Sequence, residues 1–188
     1  IDRCYRACDH LSLSVTLYSN GTINKEIIAS VTESLKLSED GARLKEVFAA
    51  PSLQMVTFTI TEKGYAIQND AHDFLPDYKA DMESGPDACH SFFGKLASLC
   101  LSRVRAGLAP LALVSLDNCS DNGIRLERAM RYMTQAWMQH GFITEDEYFA
   151  LIKKNTYPLS MIDKITPHPD ERIAKALADD GVEGAQPF

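Results

Sequence analysis

Three short polar segments, each following an apolar run, concentrate the side chains of this chain that could bind a ligand or move a proton. They are TITEKGY at 59–65, SLDNCSDNG at 115–123 and SMIDKITP at 160–167. In the first, Thr59, Thr61, Glu62 and Lys63 offer hydroxyls, a carboxylate and an ammonium, and Gly64 lets the backbone turn or approach a ligand closely. The same composition also suits a plain polar turn with a glycine cap. In the second, the carboxamide of Asn118 could donate a hydrogen bond to a developing alkoxide without bringing a charge that disturbs a neighbouring base. Asp117, Asn118, Ser120 and Asp121 would equally serve turn and helix-cap donors, and spacing leaves both readings open. In the third, Asp163 and Lys164 form either an ordinary surface ion pair or a carboxylate that places a ligand or a catalytic ammonium.

Other residue types carry less. His10, His72, His90, His140 and His168 are scattered in mostly polar contexts and read as solvated or helix-end histidines. Cys4 and Cys8 are spaced like one half of a zinc site, but no second Cys/His pair follows, so no metal is expected. Met130, Met133, Trp137 and Met138 fall at helical spacing and read as packing residues. GxSxG, Walker A and HExxH patterns are all missing, which argues against serine hydrolases, P-loop nucleotidases and zinc proteases.

The three polar segments need a scaffold that brings strand ends together. Alternation of apolar and polar residues on both sides of Asn20-Gly21 predicts a β-hairpin, LSLSVTLY paired with INKEIIASVTES. A short amphipathic helix is expected from Ser38, stopped before Pro51, then a buried strand over 53–61 and an irregular loop over 68–86. Asp87 caps a long helix reaching Arg105, and PLALVSLDN forms the next strand. Helical spacing returns from Asn122 to Gly141, and TEDE at 144–147 is a capping box for another helix. A strand over 157–162 and a last helix from Pro169 complete the series. Strands alternating with helices predict one α/β unit, a largely parallel sheet with helices on both faces plus the hairpin. In such sheets ligands bind beyond the carboxyl ends of the strands, which is where the three polar segments fall.

Bulk properties narrow the partners. With 188 residues, 45% of them hydrophobic, the chain can bury one sizeable core. A net charge of -7 without a basic cluster argues against nucleic acid and membrane-surface partners. No apolar run reaches bilayer length and the N-terminus lacks a signal-peptide layout, while five scattered cysteines suit a reducing, cytoplasmic compartment.

VTFTITEKGY, RAGLAPLALVSLDNCSDNG and YPLSMIDKITP, in that order, resemble signature stretches of the polyol-specific long-chain dehydrogenases. That family includes mannitol 2-dehydrogenase, fructuronate reductase and tagaturonate reductase, and the similarity extends over nearly the whole chain. It implies a Rossmann-like nicotinamide-binding domain over residues 1–188. It also implies hydride transfer between NAD, or NADP, and a ketose or keto-sugar acid without a metal, with the fructuronate/mannonate pair preferred over mannitol/fructose. By position, Asn118 resembles the family's oxyanion asparagine, which also lies against the coenzyme. Thr59, Thr61, Glu62 and Lys63 resemble the coenzyme-side loop. Ile162 and Asp163 resemble residues beside the nicotinamide and the substrate.

The glycine-rich phosphate turn (GxGxFxRxH) and the Kx5NxxH motif of the family's C-terminal domain, with its proton-transferring lysine, are not in this sequence. The chain is therefore expected to be part of a longer enzyme. The alternatives are a fold-retaining segment without catalysis and an unrelated α/β nucleotide-binding enzyme.

Overall fold

The computed structural model describes residues 2–162 and 171–182. In chain order its elements are α1 (Asp2–Ala7), β1 (Ser12–Leu17), β2 (Ile23–Ile28), α2 (Gly41–Ala49), β3 (Met55–Phe58), α3 (Thr61–Gly64), α4 (Pro76–Ser84), α5 (Phe92–Arg105), β4 (Ala112–Ser115), α6 (Asn122–Gln139), α7 (Glu145–Phe149) and α8 (Glu171–Asp179). A 3-10 turn, Pro86–Ala88, precedes α5, and a π-turn, Ala150–Lys154, follows α7. The chain packs as two compact units, 1–44 with 165–188, and 45–164.

The first unit contains the antiparallel hairpin, in register from Ser12↔Ile28 to Leu17↔Ile23. Gly21 takes a φ of 82°, open to glycine without cost, and Asn20 Oδ1 accepts from the amide of Thr22 at 3.0 Å, which closes the turn. The expected second strand was longer, to Ser34, but β2 ends at Ile28. The turn at Asp9 and His10, both at positive φ, stops β1 from extending backwards, so residues beyond Ile28 have no strand opposite them. Ion pairs tie down the stretch that follows: Arg43 grips Glu33 through two nitrogens at 2.9 and 2.7 Å, and Arg6 reaches Asp40 at 2.9 Å.

In the second unit β3 and β4 run parallel, level at Phe58↔Ser115, and Ala112 is bridged on its other side by Thr156. Only the middle of each predicted run, 53–61 and 110–118, forms these strands, where β-branched and apolar residues suit a sheet covered by helices. Leu126, Met130, Met133 and Trp137 of α6 are completely buried, as their helical spacing predicts. Thr144 and Glu147 form the expected capping box of α7.

At the amino end of the sheet the buried Arg103 donates to the carbonyls of Phe48, Ala50, Leu53 and Ala109. One guanidinium thus fixes the entries to both strands and leaves their carboxyl ends as the open edge.

Three expectations for this unit are corrected. Residues 68–86 are not an irregular loop throughout, since α4 occupies Pro76–Ser84 with proline at its first position. Its inward residues are Asp81 and Met82, so it shows no apolar stripe. The Asp81 carboxylate accepts from the amides of His90 and Ser91, both at 2.8 Å, and its carbonyl accepts from Trp137 Nε1 at 2.8 Å. Asp87 does not cap α5; it lies in the 3-10 turn, and Ser91 is the cap, accepting from the amide of Gly94. No strand forms over 157–162, because pairing with β4 stops at Thr156 and Ser160 is held by a side chain of α6.

Candidate functional site

Beyond Phe58 and Ser115 the two strand ends are joined by side chains. The predicted strand through Thr61 stops at Phe58, where the last sheet-type bond runs from the amide of Leu116 to the carbonyl of Phe58 at 2.7 Å. From there the carboxylate of Asp117 takes over. Its Oδ2 accepts from the amide of Ile60 at 2.9 Å, its Oδ1 from the amide of Thr61 at 2.8 Å, and its Oδ2 also from the hydroxyl of Tyr65 at 2.7 Å. The phenol oxygen lies 2.6 Å from Ser115 Oγ, which in turn accepts from the amide of Asp117 at 3.2 Å. Thr61 is held at a φ of 62°, a backbone region that costs a β-branched residue roughly 1–3 kcal/mol.

A second knot ties in the third segment. Asn122 is 1% exposed, and its amide nitrogen donates to the carbonyls of Asp117 at 3.1 Å and Ser160 at 3.0 Å. Its carbonyl oxygen accepts from the amide of Ser160 at 3.2 Å, and Ser160 Oγ donates to the carbonyl of Ser115. Two buried side chains at one edge therefore fix residues 60–61, 115–117 and 160 relative to one another.

The electrostatics keep this arrangement in one protonation state. Burial pushes the Asp117 carboxyl up, but the hydrogen bonds from Tyr65, Ile60 and Thr61 outweigh it and hold the group below the ordinary carboxyl range. Burial pushes the Tyr65 phenol up to about 12, with the Asp117 acceptor adding to it, so at neutral pH the phenol donates. A depressed carboxyl stabilises the fold above its unfolded pKa and loses that contribution as pH falls through the folded value. Asp117→Asn is therefore expected to cost about 1–3 kcal/mol at pH 7 in denaturant unfolding. The gap to wild type should shrink as the pH is lowered below the usual aspartate pKa, and a gap unchanged at low pH would contradict this assignment.

The side chains singled out from the sequence sit around this knot. Thr59, Thr61, Glu62, Lys63 and Asn118 are all exposed at the carboxyl edge. Among the described residues the Asn118 amide has no hydrogen-bond partner. Glu62 is engaged with Arg125 at 3.1 Å, beside a cleft of about 460 Å³ lined by Glu62, Tyr65, Gln68, His72, Arg125 and Arg128 among others. Ile162 is half-buried, while Asp163 and Lys164 lie outside the described residues.

The sequence reading weighed Asp117 only as a turn or cap group. It does satisfy turn donors, but those of the neighbouring strand end. Tyr65, Asn122 and Ser160 were not singled out for any role. A serine, a tyrosine and an asparagine next to glycine look like solvated turn residues until the strand ends are known to be adjacent.

Comparison with known proteins adds to this geometry. The family profile described as "Mannitol dehydrogenase Rossmann domain" matches residues 6–183. A D-mannonate oxidoreductase from Thermotoga maritima is 42% identical over the whole of this chain and 35% of its own length. A mannitol 2-dehydrogenase from Pyrenophora tritici-repentis is 30% identical, over 95% of this chain and 31% of its own length. The chain thus spans about a third of the length of these relatives.

A crystal structure of D-sorbitol dehydrogenase in substrate-free form superposes with a TM-score of 0.82 at 24% identity, covering 97% of this chain and 37% of that one. The ternary complex of Pseudomonas fluorescens mannitol 2-dehydrogenase with NAD and D-mannitol gives 0.78 at 22%, covering 95% and 36%. Both likenesses show the fold, which is α/β of the Rossmann type.

Proposed function

Since the chain belongs to the mannitol dehydrogenase family, within its Rossmann domain, we propose that it is the nicotinamide-binding part of a longer oxidoreductase acting on a sugar acid or polyol. The observation that carries this reading is the joined edge itself, where the exposed Thr59, Thr61, Glu62 and Lys63 and the Asn118 amide, without a partner among the described residues, stand side by side at the carboxyl ends of β3 and β4. Hydroxyls and a free carboxamide at such an edge are a donor set that fits a dinucleotide and a carbonyl oxygen. The two compact units are read together as one nicotinamide-binding domain, because the family profile runs across both.

NAD, when bound, supplies the hydride acceptor or donor. This chain's own residues bind and orient. Thr59, Thr61, Glu62 and Lys63 line the coenzyme side, with Ile162 beside the nicotinamide. Asn118 donates to the substrate oxygen as charge develops on it, and Asp163 takes part in placing the substrate. Proton transfer is assigned to a lysine elsewhere in the longer protein. A keto-sugar acid is preferred as substrate on the 42% identity to D-mannonate oxidoreductase, with ketoses next on the 30% identity to mannitol 2-dehydrogenase. NAD is preferred to NADP because the mannitol 2-dehydrogenase neighbour was solved with NAD. We assign the protein to the cytoplasm; no helix among the described residues is long and apolar enough to cross a membrane.

The test is NADH oxidation by the full-length protein with fructuronate, tagaturonate and fructose. Turnover with at least one of them, fastest with a keto-sugar acid, is expected. Failure with every keto-sugar tried would remove the reading.

A further inference from the structure

The carboxylate of Asp117 is largely committed within the chain, with three hydrogen bonds accepted on its two oxygens. It is buried, and the donors are the amides of Ile60 and Thr61 and the Tyr65 hydroxyl. Its partners are nonetheless the backbone of the very segment assigned to the coenzyme, and its chain neighbour is Asn118. Thr61 stands in the left-handed region although it is β-branched, and no glycine lies between Phe58 and Gly64 to make that turn without strain. A residue held there needs an external restraint, and strain of this kind collects at ligand clamps. Among the described residues, the side-chain hydrogen bonds to the backbone amides of Ile60 and Thr61 come from Asp117.

We propose that Asp117 is a positioning residue for the coenzyme: by holding the strained Ile60–Thr61 turn it sets segment 59–63 at a fixed place beside Asn118. The inference rests on the dehydrogenase reading given above. An asparagine at this position cannot substitute. Its Nδ2 would face an N–H or O–H donor where the carboxylate offers an acceptor, so at least one of the three bonds is lost and its donor is left unpaired.

The experiment is a double-mutant cycle in the full-length protein with Asp117→Asn, Thr61→Gly and the pair, and with Tyr65→Phe as a milder variant that keeps the carboxylate. The readouts are NADH affinity by fluorescence titration, kcat at saturating NADH, and amide exchange at residues 60–61 in the coenzyme-free protein. Asp117→Asn is expected to raise the NADH Kd about tenfold, the equivalent of one well-placed hydrogen bond, with kcat within about threefold. Exchange at 60–61 should accelerate.

In the Thr61→Gly background, where the turn is no longer strained, the same change should cost about threefold or less. Tyr65→Phe should raise Kd by about two- to threefold, and it carries the test if Asp117→Asn does not fold. An unchanged Kd, or the same loss in both backgrounds, would overturn the proposal and leave Asp117 a purely structural residue. Wild-type protein that does not bind NADH would overturn the dehydrogenase reading as well, so the two failures are told apart.

Discussion

Asn118→Ala in the full-length protein is expected to lower kcat for the keto-sugar by about 10²–10³-fold, the loss measured when one oxyanion donor is removed. The NADH Kd should stay within a few-fold. The size follows from when the amide acts. Little charge sits on the substrate oxygen in the ground state, so a donor aimed at it contributes chiefly as the alkoxide develops, and its loss falls on kcat more than on KM. Stability should be nearly untouched, within about 0.5 kcal/mol, because the side chain is exposed and has no partner among the described residues. Asn118→Asp should be at least as damaging, since it puts a carboxylate where the negative charge must form. A variant that keeps its rate while losing stability would mean that Asn118 is a turn residue, the reading its spacing left open.

The second large effect belongs to Gly123. A Cβ built there would lie 2.5 Å from the carbonyl oxygen of Pro158 and 2.6 Å from that of Tyr157. Both are backbone atoms, so no rotamer change relieves the contact. Either the first turn of α6 moves or the chain at 157–160 does, and Asn122 then loses its hold on Ser160. Gly123→Ala is expected to cost about 2–4 kcal/mol, overpacking plus roughly one lost hydrogen bond, in denaturant unfolding. It should lower kcat as well, because Ser160 and the residues up to Ile162 lose their anchor on α6. Gly41→Ala, with nothing within 4 Å of the added carbon, should change stability by no more than about 0.5 kcal/mol. Equal, small effects at both positions would contradict the close approach at α6.

Where local chemistry decides the structure, the sequence was sufficient. Asn20-Gly21 marks the hairpin, the spacing Leu126, Met130, Met133, Trp137 marks α6, and Thr144 with Glu147 marks α7. The misses share a cause, which is side chains doing what backbone or apolar contacts usually do. The helix α4 packs inward through Asp81, a charged residue whose burial makes sense only with the amides of His90 and Ser91 beside it. Residues 157–162 have strand-like composition, but their polar partner is Asn122. At the site, Thr59–Lys63 and Asn118 were found as polar residues after apolar runs. Asp117 and Tyr65 hold them together through contacts 50 to 57 residues apart in the chain, which no local pattern encodes.

Hydrogen–deuterium exchange on the full-length protein with and without saturating NADH tests the account at its centre. The predicted result is slower exchange in peptides covering 59–64 and 117–123, the two strand ends that Asp117 joins. Protection confined to other parts of the chain, with both of these unchanged, would contradict the assignment of this edge to the coenzyme.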